Sequence, residues 1–261
     1  MKTNLNLPIN QLTKENLAGI KVICFDGDGV TKKKGTQFIR ENGQEEMVTF
    51  PPSLDMMEKL KRLTKKFHVS FSSGRAMDYL QSIYKDIVEE NGSLQAEIGM
   101  YLYIDKLLIT NYDLRIEQKE KLNKIRQELE KIKSPKIKGF EPKEYLITLH
   151  CKDRIGDVED LVKANDTEGE LYCWWNGEAY DIGLQAVNKG TGLKNLTEKL
   201  GIKMSEVMTV GNGINDANMT DVVGIDVSTD EKHLKADFVV WGEEIGVEKV
   251  VDRVLKLSDL V

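Results

Sequence analysis

The chain has 261 residues, with 37 Lys or Arg against 43 Asp or Glu and a formal charge of −6. That acidity excludes a nucleic-acid coat, whose affinity rests on many cations set over phosphates. A composition 40% hydrophobic and 31% charged excludes wholesale disorder.

In chain order, the first strong signal is the apolar run Lys21-Val22-Ile23-Cys24-Phe25, broken by Asp26-Gly27-Asp28-Gly29, which predicts a buried strand opening into a loop. The polar stretch Thr31 to Thr49, with Lys32-Lys33-Lys34, reads as a loop or small hairpin. Pro51-Pro52-Ser53 then opens a helix carrying Leu54, Met57, Leu60 and Leu63. A second strand, Phe67 to Phe71, ends in Ser72-Ser73-Gly74-Arg75, and Met77, Leu80, Ile83 and Tyr84 mark the next helix. Strand, helix, strand, helix favours a parallel sheet with right-handed crossovers.

Glu90-Asn91-Gly92-Ser93 predicts a turn, followed by a hairpin over Met100 to Ile109. From about residue 113, Leu114, Leu122, Ile125, Leu129 and Ile132 place one apolar face on a long Lys- and Glu-rich helix that Pro135 stops. Tyr145 to Cys151 reads as a strand, Val158 to Val162 as a helix, and Leu171 to Ile182 as one or two strands, together a small α+β unit. Beyond Gly183 the first pattern resumes with a helix at 190–200, a strand Val207 to Val210 ending in Gly211-Asn212-Gly213, a strand Phe238 to Trp241 and an amphipathic C-terminal helix. The pattern is an α/β sheet interrupted by a separate insert.

No apolar run approaches the roughly 18 residues of a membrane span. The start, MKTNLNLPINQLTKENLAG, lacks an apolar signal segment, and Cys24, Cys151 and Cys173 are too few and too scattered for a disulfide framework or a zinc knot. A cytoplasmic protein without nucleic-acid or membrane partners is expected.

Three strand ends deliver small polar residues: Asp26-Gly27-Asp28, Ser73-Gly74, and Gly211-Asn212-Gly213-Ile214-Asn215-Asp216, with Lys189 just before a predicted helix. Parallel sheets bind ligands outside the carboxyl ends of their strands, so these groups converge if the three strands are neighbours. Asp26 and Asp28 are expected to point in different directions, which would let one attack while the other handles protons. A carboxylate can attack phosphorus covalently, provided that a divalent cation and a lysine offset the repulsion.

Taken singly the pieces are weak. Asp-Gly-Asp-Gly commonly forms a turn, loop serines commonly bond nearby backbone, and lysines are rarely buried, so Lys189 and Lys32 to Lys34 read by themselves as solvated side chains. A calcium loop is excluded because Val30 stands where an oxygen ligand is needed and Gln37 where the closing Glu is needed. A dinucleotide fingerprint fails because Asp216 stands where its third glycine belongs.

In combination and in this order, Phe25-Asp26-Gly27-Asp28-Gly29-Val30-Thr31, Phe71-Ser72-Ser73-Gly74-Arg75, Asn188-Lys189-Gly190-Thr191 and Gly211 to Asp216 resemble the four motifs of the haloacid dehalogenase superfamily of phosphatases. The resemblance implies an α/β fold with a Rossmann-like parallel sheet core, residues 1–110 and 184–261, and an inserted small α+β cap domain at 111–183. It implies a magnesium-dependent phosphomonoester hydrolase working through an aspartyl-phosphate. Asp26 would be nucleophile and metal ligand, and Asp28 general acid, then base, with its carbonyl on the metal. Ser73, Gly74, Lys189 and Asn215 would hold the phosphoryl group, and Asn212 and Asp216 would complete the magnesium site. For Asp28 to donate a proton at neutral pH its carboxyl has to titrate high, which a neighbouring ionised carboxylate can produce.

Glu90-Asn91-Gly92 and Asn188-Lys189-Gly190 are similar to the subgroup acting on sugar phosphates and phosphoglycolate, so a small phosphorylated metabolite is the expected partner. Trp174 and Trp175 fall on opposite faces of a predicted strand, so one is expected in the core while the other can face the substrate. Asn212 departs from the family's usual Gly-Asp, which removes one negative charge and implies weaker metal affinity with catalysis retained through Asp216. A phosphomutase using the same intermediate and a non-catalytic phosphometabolite sensor are the alternatives.

Overall fold

A computed structural model of the chain describes residues 5–41, 44–220, 222–241 and 246–260. In chain order the elements are strand β1 (Leu7–Pro8), helix α1 (Lys14–Leu17), β2 (Val22–Asp26), β3 (Thr36–Glu41), β4 (Gln44–Thr49), α2 (Leu54–Leu63), β5 (His68–Ser72) and α3 (Met77–Asn91). They continue with β6 (Gly92–Ala96), β7 (Tyr101–Ile104), β8 (Leu107–Thr110), α4 (Ile116–Leu129), β9 (Ile137–Phe140), β10 (Ile147–Cys151), α5 (Gly156–Asn165), β11 (Leu171–Trp175) and β12 (Ala179–Leu184). Last come α6 (Lys189–Leu200), β13 (Val207–Gly211), α7 (Ala217–Thr220), β14 (Ile225–Ser228), β15 (Phe238–Val239) and α8 (Val247–Leu257).

The chain divides into two units. The first comprises Met1–Lys34, Phe50–Asn111 and Asn188–Val261. Its sheet runs β1-β15-β14-β13-β2-β5-β6-β7-β8, parallel from β1 through β6 and antiparallel over the β6–β7–β8 edge. The chain builds outward from β2 to β5 and β6 on one side, then returns to lay β13 on the other. That makes β2 the topological switch point, where α/β sheets open a crevice beyond the strand ends. All five residues of β2 are buried, as expected of a strand covered on both faces.

Ser53 caps α2 by accepting from the Met56 N–H at 3.1 Å. Its buried face is Met56, Leu60 and Leu63, whereas Leu54 is 85% exposed. A ladder at every third residue drifts around a helix of 3.6 residues per turn, which is why the expected Leu54 falls outside.

The turn expected at Glu90-Asn91-Gly92-Ser93 does not form. Helix α3 runs to Asn91 and Gly92 begins β6, a fully buried strand beside β5. A Cβ on Gly92 would stand 2.5 Å from the Val69 carbonyl oxygen, so only glycine permits this direct passage from helix to strand. The side chain of Asn91 secures it by donating to the Thr64 and Phe67 carbonyls.

The second unit comprises Gly35–Thr49 and Tyr112–Val187. The hairpin β3–β4 and residues 184–187 therefore group with the insert rather than with the core expected at 1–110 and 184–261; the hairpin's turn residues 42–43 lie outside the described residues. Antiparallel strands in the order β11-β12-β10-β9 form its sheet, with α4 and α5. Phe38 meets His150 edge-on at a centroid distance of 5.2 Å, and Glu178 accepts from the Thr36 N–H at 3.2 Å, so the hairpin belongs to this body. Trp174 stacks on Tyr172 and Trp175 leans on Tyr180, and both tryptophans are half-buried, so neither is the fully buried core residue expected. Among the described residues no helix is long and apolar enough to cross a membrane.

Candidate active site

The three strands whose ends carry the candidate residues are adjacent, in the order β13-β2-β5. Asp26 is the last residue of β2 and pairs in register with Ser72 of β5. Beyond it the N–H groups of Val30, Thr31 and Lys32 converge on the Gly27 carbonyl at 3.0 to 3.2 Å, folding the loop back on itself. The Thr31 hydroxyl, 2.7 Å from the Tyr84 hydroxyl, pins that turn by reaching the Asp26 and Gly27 carbonyls.

Lys189 joins the first strand end to the last. Its Nζ donates to Asp26 Oδ1 and to Asp216 Oδ1, each at 2.6 Å, and both Lys189 and Asp216 are fully buried. Sequence makes this placement local: Asn188 caps α6 in a reciprocal box with Thr191, and Lys189 is the first helical residue. A Cβ on Gly190 would stand 2.2 Å from the Asn218 carbonyl oxygen, so glycine is what lets this helix start press against the 213–218 loop. The other oxygen of Asp216 accepts from the N–H groups of Asn212 and Gly213 at 2.8 and 2.9 Å, which organises the loop beyond β13.

These contacts set the charges. Burial, reinforced by the Asp216 carboxylate, pushes the Asp26 carboxyl up to about 6. Burial opposes the Lys189 charge, but Asp216 and Asp26 outweigh it and hold the ammonium above the ordinary lysine range.

Asp28 points elsewhere because β2 ends at Asp26 and the loop folds back beyond it; alternation along a strand would instead put residues two apart on one face. Arg75 Nε donates to its Oδ2 at 2.9 Å and Nη2 to its Oδ1 at 3.2 Å, while Lys32 Nζ also reaches Oδ1. Burial favours the protonated form of Asp28, yet Arg75 and Lys32 prevail and hold its carboxyl well below the usual carboxylate range. The expectation that Asp28 titrates high is therefore overturned, because two cations rather than another carboxylate are its nearest charges. Lys32, expected as a solvated side chain, is 1% exposed; Lys33 and Lys34 do face solvent.

Ser73 is buried at the end of β5, its Oγ 3.4 Å from where a Cβ on Gly27 would stand and in reach of the Arg75 N–H at 3.2 Å. Gly74 lies half-buried between them. Asn212 donates through Nδ2 to the Asp28 carbonyl at 3.0 Å. Asn215 is half-buried with its Oδ1 turned back over Gly213, and no hydrogen bond joins its side chain to Asp26 or Lys189. A cavity of ≈ 520 Å³ lined in part by Gly29, Lys34, Asn212, His233 and Trp241 adjoins this loop.

Among the described residues no group of three or more His, Cys, Asp or Glu side chains forms a metal cage. A cation here would instead meet mixed oxygens. Asp26 Oδ2 carries no hydrogen bond among the described residues, and the Asp28 carbonyl and the Asn212 amide stand within one hydrogen bond of each other. The Asp26 and Asp28 oxygens fit a hard ion such as magnesium, while Asn212 turns its amide nitrogen to the Asp28 carbonyl and both Asp216 oxygens already accept hydrogen bonds.

Sequence reasoning missed Arg75 and Lys32 as site residues. Arg75 directly follows Ser73-Gly74 and was visible as part of that motif, but nothing local tells a buried lysine from its two solvated neighbours.

A family profile described as haloacid dehalogenase-like hydrolase matches residues 76–236. A phosphoglycolate phosphatase of Thermoplasma volcanium is 25% identical over 235 residues, 87% of this chain and 96% of that protein. Another, from Methanopyrus kandleri, is 25% identical over 181 residues, 67% of this chain and 75% of that one. Among solved structures, the C-terminal domain of trehalose-6-phosphate phosphatase from C. albicans superposes with a TM-score of 0.70 at 17% identity, covering 98% of this chain and 99% of that one, a likeness of fold. With the profile spanning more than half of its length, the chain belongs to the haloacid dehalogenase-like hydrolases.

Proposed function

We propose that the protein is a magnesium-dependent phosphomonoester hydrolase acting on a small phosphorylated metabolite through an aspartyl-phosphate on Asp26. The observation that carries this reading is the single buried ammonium of Lys189 bonded to both Asp26 and Asp216 at the switch point of the sheet. The phosphoglycolate phosphatases among its relatives support the substrate class, and the adjoining cavity has the volume of a small-molecule site.

In this reading an Asp26 carboxylate oxygen attacks phosphorus and the ester oxygen departs as the alcohol. Lys189, the Ser73 hydroxyl and the Gly74 N–H hold phosphoryl oxygens, while Asn215 borders the site. Asp28, kept ionised by Arg75 and Lys32, is in the form that takes a proton from water, which then cleaves the acyl phosphate. Carrying a proton to the leaving alcohol requires Asp28 first to part from those two cations. Magnesium, held by Asp26, the Asp28 carbonyl, Asn212 and Asp216, would neutralise charge on the phosphoryl oxygens. The second unit serves as the cap that selects the substrate. Three free cysteines support a reducing, cytoplasmic setting.

The test is a panel of phosphorylated metabolites, phosphoglycolate and sugar phosphates included, assayed for phosphate release in saturating magnesium. Any monoester that the parent protein hydrolyses should be left intact by Asp26→Asn; persistent turnover by that variant would refute the assignment of the nucleophile.

A further inference from the structure

Two buried cations grip the same partly exposed carboxylate. Arg75 is 5% exposed and Lys32 1%, whereas the Asp28 side chain that they grip is 24% exposed. The guanidinium meets both carboxylate oxygens as a fork, a geometry that fixes orientation as well as charge. Both cations also lie over the Tyr79 ring, Lys32 at 5.3 Å and Arg75 at 5.6 Å from its centroid.

The backbone supports the same arrangement. The Arg75 N–H donates to the Ser73 hydroxyl, and its carbonyl accepts from Glu97, so its position is tied to the end of β5. Lys32 is held by the folded loop, its N–H on the Gly27 carbonyl and its own carbonyl accepting from Gly29. Placing two cations out of water carries a desolvation cost that only close, well-oriented pairing offsets, and here that pairing holds Asp28 in one orientation. Lys189, by contrast, already divides its bonds between Asp26 and Asp216 and has no hydrogen bond to Asp28.

We propose that Arg75 and Lys32 are positioning residues that aim the Asp28 carboxylate at the water that cleaves the acyl phosphate. The inference rests on the phosphatase reading above. In the step concerned, the water oxygen bonds to phosphorus, the bond from phosphorus to the Asp26 oxygen breaks, and the water proton passes to Asp28. Removing the clamp leaves Asp26 and its attack untouched and slows only this second step.

The experiment uses p-nitrophenyl phosphate, whose phenolate leaves without needing a proton, so forming the intermediate does not call on Asp28. Turnover, the rapid first burst of p-nitrophenol and the acid-stable phosphate bound to protein are measured for the parent, Arg75→Met, Lys32→Met and Arg75→Lys. The expected result in Arg75→Met is turnover lowered by about a hundredfold, with a burst of p-nitrophenol and protein-bound phosphate both growing where the parent shows little of either. Arg75→Lys, which keeps the charge without the fork, should fall between. Should Arg75→Met fail to fold by circular dichroism, Arg75→Lys and Lys32→Met carry the same measurement.

Turnover falling with no burst beyond the parent's, or without bound phosphate, would overturn the proposal. So would unchanged turnover. A parent protein that hydrolyses no monoester, or an Asp26→Asn variant that still does, would instead refute the phosphatase reading beneath it.

Discussion

Replacing Lys189 with methionine tests the electrostatic centre of the site. The substitution keeps most of the side-chain volume and removes the one charge that faces both Asp26 and Asp216, each 2.6 Å away with Lys189 fully buried. Breaking a buried pair by deleting one partner costs about 3–5 kcal/mol, because an uncompensated charge is left out of water. Against a typical stability of about 5–15 kcal/mol that is a large fraction. The loss should also depend on pH. Since the Asp26 carboxyl is raised to about 6, the folded chain holds a proton that the unfolded chain has released between roughly pH 4 and 6. Its stabilising contribution is present below that window and lost as pH rises through it. Without Lys189 the Asp26 carboxyl resists ionisation more strongly, so the loss should be deepest at neutral pH and shrink on acidification. Urea unfolding in EDTA, followed by circular dichroism at neutral pH and at about pH 5, measures both quantities. Adding Asp26→Asn should recover about 1 kcal/mol or more as a coupling energy. A loss below about 1 kcal/mol at neutral pH, or one equal at the two pH values, would refute the reasoning.

Gly190→Ala should cost more than about 2 kcal/mol and depress turnover, since its Cβ would come within 2.2 Å of the Asn218 carbonyl and push the start of α6 with Lys189 off the loop; a melting temperature matching the parent's would show that the close approach is not required. Asn212→Asp removes the donor to the Asp28 carbonyl and adds a carboxylate near Asp216. Metal-free protein should lose about 1–2 kcal/mol, while the magnesium concentration giving half-maximal activity should fall. An unchanged magnesium dependence would contradict a role for this position at the cation.

How much of this was legible in advance varies with the range of the interaction. Strand β2 and its exit into Asp26-Gly27-Asp28 were written in five consecutive residues, because a strand buried on both faces needs an unbroken apolar run. Strand β6 was not. Gly92-Ser93 belonged to the turn expected at Glu90-Asn91-Gly92-Ser93, yet Ser93 bonds Ser70 and His68 while Gln95 donates to Ser70, so polar side chains of this strand find partners twenty or more residues away. Helix α2 fell in place with its apolar face rotated, since a spacing of three was read where the helix turns every 3.6 residues.

The sequence alone determined the α/β character of the core, the presence of an insert and the order of the four motifs, because strand runs, helix caps and loop glycines act on near neighbours. It placed Asp26 and Asp28 at a strand end, whereas their directions follow from the loop that folds back beyond β2. Only the tertiary structure decided which charge each carboxylate meets: Lys189 stands across the sheet from Asp26 and shares itself with Asp216, and Arg75 arrives from the next strand to hold Asp28 ionised. Coulombic and desolvation effects depend on distance in space and on exclusion of water. Neither is set until strands 47 to 184 residues apart lie side by side.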